Sequence, residues 1–411
     1  MESVLIFRRH LLPVSETFIL GQAVSLRRFR PQFAGIRRAK PSLQLPSEPI
    51  LIREDDRKLS RFRSLVYKKT GVAPSFLKRI AAIGPSCIHA HFAPDVLEAL
   101  PIAKSLKIPL IVTLHGYDVT AQSEIQRDYR SLWSRASIFL CVSEFIRRKA
   151  IECGFPEDKL RLHYIGIDCE RFASQAVERE PDSVLFVGRL VEKKGCEDLL
   201  RAMRRVQAAI PTARLTVIGD GHLKERLIKM ATEFELNFTF LGSQDAAAVS
   251  EHMARCSVFC APSVTAPNGD SEGFGMVFLE AQAVGTPVVS TIHGGIPEAV
   301  ADGQSGLLGP EGDEESLAKN IVTLLKDDSL RKQFGEFGAH RVRQSYNLLQ
   351  QTHLLEDFYS EALGRGPLLR AEGENAGRVD HRTTSARTYQ PQLSMEQSGF
   401  TGQSSVTRGN V

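Results

Sequence analysis

The chain has 411 residues, 42% of them hydrophobic and 24% charged, the balance of an ordinary folded globular protein of two or three domains. No run of 18 apolar residues occurs, which excludes a transmembrane helix. The seven cysteines, odd in number and scattered, fit buried free thiols of a reducing cytosol rather than a disulfide framework or a metal cluster. The net charge of +4 hides an asymmetry: residues 1–175 hold 28 Lys and Arg against 17 Asp and Glu, a net +11 that leaves −7 for the remainder, so the first half suits an anionic partner surface.

The start of the chain, Met1 to Arg9, reads as a first strand centred on Ser3–Phe7. Its apolar core is too short for a signal peptide. After Pro13, the run Ser15-Glu16-Thr17-Phe18-Ile19 opens a helix, with Ser15 of a residue type that caps one. Residues 57–69 (Arg-Lys-Leu-Ser-Arg-Phe-Arg-Ser-Leu-Val-Tyr-Lys-Lys) repeat Leu59, Phe62, Leu65 and Val66 near helical spacing among six cations. Such a basic amphipathic helix either lies in an anionic headgroup layer or buries its stripe in the protein's own core.

Cys87–His91, Leu110–Leu114 and Ile138–Val142 are β-rich runs, each followed by polar or helix-opening residues. His115-Gly116-Tyr117-Asp118 sets an imidazole at a strand end, suited to hydrogen-bond a sugar or phosphate. With His89 and His91 a metal site is conceivable, but no carboxylate cluster joins them, and the chain has no Asp-x-Asp metal–diphosphate motif. Residues 158–172 form a strand and turn. Residues 173–182 are polar and aperiodic, an expected linker.

A second strand–helix series follows: Val184–Val187, Leu215–Ile218, Phe238–Leu241, Val258–Ala261 and Val288–Ser290, then helices over 314–326 and 345–363. The alternation predicts α/β architecture with parallel sheets in two domains, and open parallel sheets bind ligands beyond the carboxyl ends of their strands. Arg189 and Lys194 stand on one such loop, a fork and a point charge able to clamp a diphosphate. Gly219-Asp220-Gly221 lacks the third glycine of a dinucleotide turn and is consistent with a mononucleotide. Residues 271–298 are the densest signal. Glu272 precedes a glycine turn that opens a helix carrying Glu280, and a second turn, Gly294-Gly295, opens the helix with Glu298. Helix N-termini attract anions, whereas carboxylates beside them suit hydroxyls or developing positive charge. A ligand that is part phosphate and part polyol, such as a nucleotide sugar, meets both demands. Beyond about 366 the chain is polar and is expected to be a disordered tail.

The Glu272–Glu280 spacing resembles the Glu-x7-Glu motif of the retaining glycosyltransferases of family 4. The resemblance extends to His115-Gly116-Tyr117-Asp118, Val142-Ser143-Glu144-Phe145, Ile165-Gly166-Ile167-Asp168, Val187-Gly188-Arg189 with Lys194-Gly195, Gly219-Asp220-Gly221 and Gly294-Gly295-Ile296-Pro297-Glu298, in the family's order over about residues 3–360. The Ser15–Ile19 start and His163–Asp168 are similar to bacterial exopolysaccharide transferases of the colanic-acid type. Many relatives have a glycine pair where this chain has Pro13-Val14-Ser15-Glu16, and Asn where it has Ile165.

The resemblance implies a GT-B fold, two Rossmann-like domains facing each other across a cleft. The first would be residues 1–175 on the acceptor side, with the last helix packing back on it, and the second 176–345 on the donor side. It implies that Glu272 lies by the anomeric centre, that the backbone of Gly273, Phe274 and Gly275 holds sugar hydroxyls and phosphate, and that Glu280 binds the ribose. Arg189 and Lys194 would neutralise the diphosphate near Gly219, and His115 would reach the sugar. Ser15 and Glu16 are candidate contacts at the first helix start.

The expected reaction is retaining, metal-independent hexosyl transfer from a UDP- or GDP-sugar to a glycan or lipid-linked acceptor, with no cofactor and no nucleic acid. The expected place is the cytoplasm, peripherally on an anionic membrane surface at the inner face. Rival readings are a nucleotide-sugar epimerase, a phosphorylase, or a non-catalytic scaffold keeping the cleft.

Overall fold

The computed structural model describes residues 1–55, 57–172 and 177–365. The expected tail, 366–411, and the linker residues 173–176 lie outside the described residues. Strands β1 (Glu2–Leu11), β2 (Phe29–Arg38), β3 (Ile50–Leu51), β4 (Cys87–His91), β5 (Leu110–Leu114), β6 (Ile138–Cys141) and β7 (Leu160–Leu162) form one sheet in the order β3-β2-β1-β4-β5-β6-β7. Strands β8 (Ser183–Val187), β9 (Arg214–Ile218), β10 (Phe238–Gly242), β11 (Val258–Cys260), β12 (Val288–Thr291) and β13 (Gly306–Gly309) form a second, β10-β9-β8-β11-β12-β13. Pairing is parallel throughout both. Parallel strands are covered by helices on both faces, so their sequences need no polar alternation. Leu110–Leu114 and Ile138–Cys141, buried at every residue, show this.

Both sheets reverse their winding at one place, between β1 and β4 in the first and between β8 and β11 in the second. Loops on either side of such a point lead to opposite faces and leave a crevice at the strand ends. The loops of the second crevice hold Arg189, Lys194 and Glu272; those of the first hold Pro13–Glu16 and Phe92.

Three strands are not apparent in the sequence. β2 contains Pro31 and Gly35, both poor strand formers, and three arginines. It exists because β1 templates it from Glu2↔Phe29 to Leu11↔Arg38. β3 and β13 are two and four residues long, too short to show a period.

The last described helix, Leu348–Ala362, lies on the first sheet. Its Glu356 carboxylate is fully buried and accepts from the backbone N–H groups of Arg27 (2.8 Å), Arg28 (2.5 Å) and Phe29 (3.2 Å), and from Arg28 Nε (3.1 Å). A buried carboxylate is costly unless satisfied in this way. Tyr359, with no exposed surface, hydrogen-bonds His89 Nδ1 at 2.7 Å. No helix among the described residues is long and apolar enough to cross a membrane.

Candidate active site

The loop after β8 is held against the ends of β9 and β11. At Gly219 φ is +144°, and a Cβ there would sit 1.8 Å from the Gly188 carbonyl oxygen, so only glycine lets the two strand ends meet. The 3₁₀ turn Glu192–Lys194 then presents two lysines. Lys193, not singled out from sequence, pairs with Asp270 at 3.0 Å, and its carbonyl accepts from Val264 N–H at 2.9 Å. Lys194 pairs with Glu272. Arg189 is exposed and makes no side-chain ion pair or hydrogen bond among the described residues, leaving its guanidinium free for a ligand.

Glu272 is half-buried. Burial opposes its charge, but Lys194 and then Lys193 outweigh that and hold its carboxyl down at about 2. The next three residues, Gly273, Phe274 and Gly275, make no N–H hydrogen bond among the described residues. They run into the helix Met276–Ala283. Free N–H groups at a helix start beside a carboxylate–lysine pair are chemically able to receive phosphate oxygens and hydroxyls together. Phe274 contributes only backbone here: its ring is buried, 5.3 Å from Tyr164 and 5.5 Å from Tyr346. Glu280, on that helix, has no hydrogen bond or ion pair among the described residues, and burial pushes its carboxyl up to about 7.

The first sheet closes the site from the opposite side. A Cβ at Gly273 would lie 2.1 Å from the His115 carbonyl oxygen, so the backbones of His115 and Gly273 are in direct contact. Ser143 Oγ donates to the Gly273 carbonyl at 2.6 Å and accepts from Ile146 N–H at 3.1 Å, capping its own helix while touching the other domain. His115 lies between Phe18 and Phe92, with ring centroids at 5.2 and 4.4 Å. Its Nε2 is 3.1 Å from His91 Nδ1, and its Nδ1 has no partner among the described residues. Burial, then the positive charge of Arg8, pushes it well below the usual histidine range, so it is a neutral hydrogen-bonding ring. Asp118 fixes the turn by accepting from the N–H groups of Ala93 and His115, both at 2.6 Å. The three histidines engage each other, Tyr359 and Thr113, and no group able to hold a metal ion occurs among the described residues.

Ser15 and Glu16 part company. Ser15 is exposed and makes no cap hydrogen bond. The cap position falls on Glu16 before Thr17–Val24, a correction to the expected serine cap. Glu16 is buried on Arg8, whose guanidinium also pairs with Asp95 and lies 4.2 Å from the Phe92 ring centroid. The charge of Glu16 is thus neutralised within the first domain, and its carboxylate supports Arg8 beside the cleft.

Two further side chains bear on the site, Glu298 across the domains and His293 within the second. Glu298 accepts from the N–H groups of Glu144 (2.7 Å) and Phe145 (2.9 Å) and from Tyr164 Oη (3.0 Å). It thereby caps a first-domain helix from the second domain. His293 Nε2 accepts from Glu272 N–H at 3.1 Å, and its Nδ1 lies 2.8 Å from Glu311. His293 was missed in the sequence because its partner is 18 residues away.

Two parallel sheets, each with its own switch point and with Arg189, Lys194 and Glu272 on the loops of the second, have the architecture of a GT-B glycosyltransferase. The Glycosyltransferase Family 4 model matches residues 29–171 and the Glycosyl transferases group 1 model residues 169–341. The chain belongs to this family. It is 29% identical over 285 residues to WcaL of Salmonella typhimurium, a glycosyltransferase named for colanic acid biosynthesis, over 67% of this chain and 68% of that protein. It is 31% identical to the phosphatidyl-myo-inositol mannosyltransferase of Mycobacterium leprae, over 62% of this chain and 68% of that one. The matches thus span about two thirds of these relatives. The crystal structure of Anabaena HepE with UDP-glucose superposes with a TM-score of 0.73 at 20% identity, covering 88% of this chain and 100% of that one, a likeness of fold.

Proposed function

We propose that the protein transfers a hexose from a UDP- or GDP-sugar to a glycan or lipid-linked acceptor, with retention and without a metal, in the assembly of a cell-surface polysaccharide. The observation that carries this reading is the cluster formed by Glu272, Lys194, the exposed Arg189 and the unbonded N–H groups of residues 273–275 at one helix start. Arg189, Lys194 and these N–H groups take up the charge of the departing diphosphate as preorganised electrostatics, the service a metal gives elsewhere. Glu272, kept ionised, faces the positive charge developing at the anomeric carbon. The anomeric C–O bond to diphosphate breaks, a C–O bond to the acceptor oxygen forms on the same face, and the acceptor's proton passes to the leaving phosphate oxygen. His115 Nδ1 orients the sugar from the first domain. The apposed domains exclude the water that would hydrolyse the donor. Similarity to exopolysaccharide and glycolipid transferases supports the acceptor class.

The same reading sets the protein on an anionic bilayer. In the helix Lys58–Thr70 the buried residues are Ser64 and Tyr67, whereas Leu59, Phe62 and Leu65 are 60%, 61% and 50% exposed. The apolar stripe is therefore not spent on the protein's own core, and six cations flank it.

The test is incubation with a panel of nucleotide sugars and acceptors, with and without EDTA, and anomer assignment of fresh product by NMR. Metal-free transfer with retention is expected, and Glu272→Ala and Lys194→Ala should each lower it at least ~100-fold, about 3 kcal/mol of transition-state stabilisation. Nucleotide release dependent on added manganese, an inverted product, or near-normal turnover in either variant would overturn the corresponding part.

A further inference from the structure

Glu272 can face the donor only if its backbone is held, and the structure shows what holds it. The N–H of Glu272 donates to His293 Nε2 at 3.1 Å. A ring nitrogen that accepts carries no proton, so His293 is protonated at Nδ1 alone, and that N–H donates to the Glu311 carboxylate at 2.8 Å. Glu311 is anchored in turn by Thr265, whose N–H and Oγ1 both reach it. Burial opposes the charge on Glu311, but the Thr265 and His293 hydrogen bonds outweigh it and hold the carboxyl below its ordinary range. The His293 side chain is 3% exposed and that of Glu311 35%. The pair forms part of the wall of an interdomain cleft of about 520 Å³ that Ser271, Gly294 and Thr265 also line.

We infer that His293 and Glu311 are a positioning dyad that fixes the imidazole tautomer and, through the Glu272 N–H, sets the direction of the Glu272 carboxylate toward Lys194. Neither residue acts on the sugar. His293 acts through the peptide of Glu272, and Glu311 acts through His293. The catalytic consequence rests on the glycosyl-transfer reading above; the hydrogen bond itself does not.

Two isosteric substitutions separate the two ends of the ring. His293→Asn sets an amide nitrogen near the place of Nδ1 and keeps Glu311 while losing Glu272. His293→Gln reaches further, keeping an acceptor for Glu272 while losing Glu311. Amide hydrogen exchange in full-length protein is expected to show the Glu272 N–H exchanging about tenfold faster in His293→Asn and near the wild-type rate in His293→Gln. The kcat for transfer should follow the same order, with the donor KM changing less than kcat. Equal protection of that amide in the two variants, or greater protection in His293→Asn, would overturn the inference. A wild-type protein that transfers no sugar would instead defeat the functional reading, and the exchange measurement would still decide the dyad.

Discussion

Glu272 and Glu280 are the same residue type eight positions apart, and their surroundings drive them in opposite directions. Two lysines keep Glu272 ionised, while Glu280 has no ion pair among the described residues and burial pushes its carboxyl up to about 7. A group raised in the folded state above its unfolded value near 4.5 costs stability once it must ionise. The penalty is absent below the unfolded value, grows as pH rises from there, and is complete above about 7. Glu280→Gln should therefore raise the melting temperature of the ligand-free protein at pH 8, and the gain should shrink to nothing near pH 4.5. The same variant should bind nucleotide more weakly, because an amide replaces the carboxylate expected to accept from the ribose. Calorimetry across pH and nucleotide titration check the two halves. At this scale the sequence marked Glu272, Lys194, Arg189 and Glu280 as candidates, since a short motif on a strand-end loop carries its own spacing. It did not show Lys193, paired with Asp270 at 77 positions' separation, or His293, whose meaning lies in two bonds made across loops.

Elements with a strong local period matched their expected positions, and those built by a neighbour did not. Leu110–Leu114 and Glu314–Lys326 stand where sequence placed them. β2 does not announce itself, because its Pro31 and Gly35 argue against a strand and only pairing with β1 overrides them. The helix Lys58–Thr70 was legible as amphipathic but ambiguous in use, and exposure of Leu59, Phe62 and Leu65 decides against a core role. Tyr67, its buried anchor, donates to the Glu98 carbonyl at 2.6 Å, fixing the helix with its stripe outward. The protein should co-sediment with liposomes containing anionic lipid at low salt and should release at high salt, as counterions screen the cations. Neutralising Arg57, Lys58, Arg61, Arg63, Lys68 and Lys69 together should abolish the binding. Sedimentation indifferent to those changes would remove the helix from any membrane role.

For the whole molecule the decisive contacts cross between the sheets. Glu298 caps Glu144–Glu152 from the opposite domain, Ser143 ties to Gly273, and Thr120 Oγ1 accepts from Ser271 N–H at 3.2 Å. Glu298→Ala should cost about 1 kcal/mol, the ordinary worth of a helix cap. It should also increase the radius of gyration in small-angle scattering and raise donor hydrolysis relative to transfer, because the cleft closes less completely. An unchanged scattering profile with an unchanged hydrolysis ratio would show that the cap does not govern closure. The sequence by itself determined the parallel α/β class, the family motifs and the acidic and basic residues of the strand-end loops, because strand–helix alternation and strand-end motifs are encoded within a few tens of residues. Only the tertiary structure decided that Glu16 is held by Arg8, that Glu298 joins the domains, that His293 bears on Glu272 and that the Lys58–Thr70 stripe stays outside. Each of those depends on contacts between distant segments, whose energies no local pattern records.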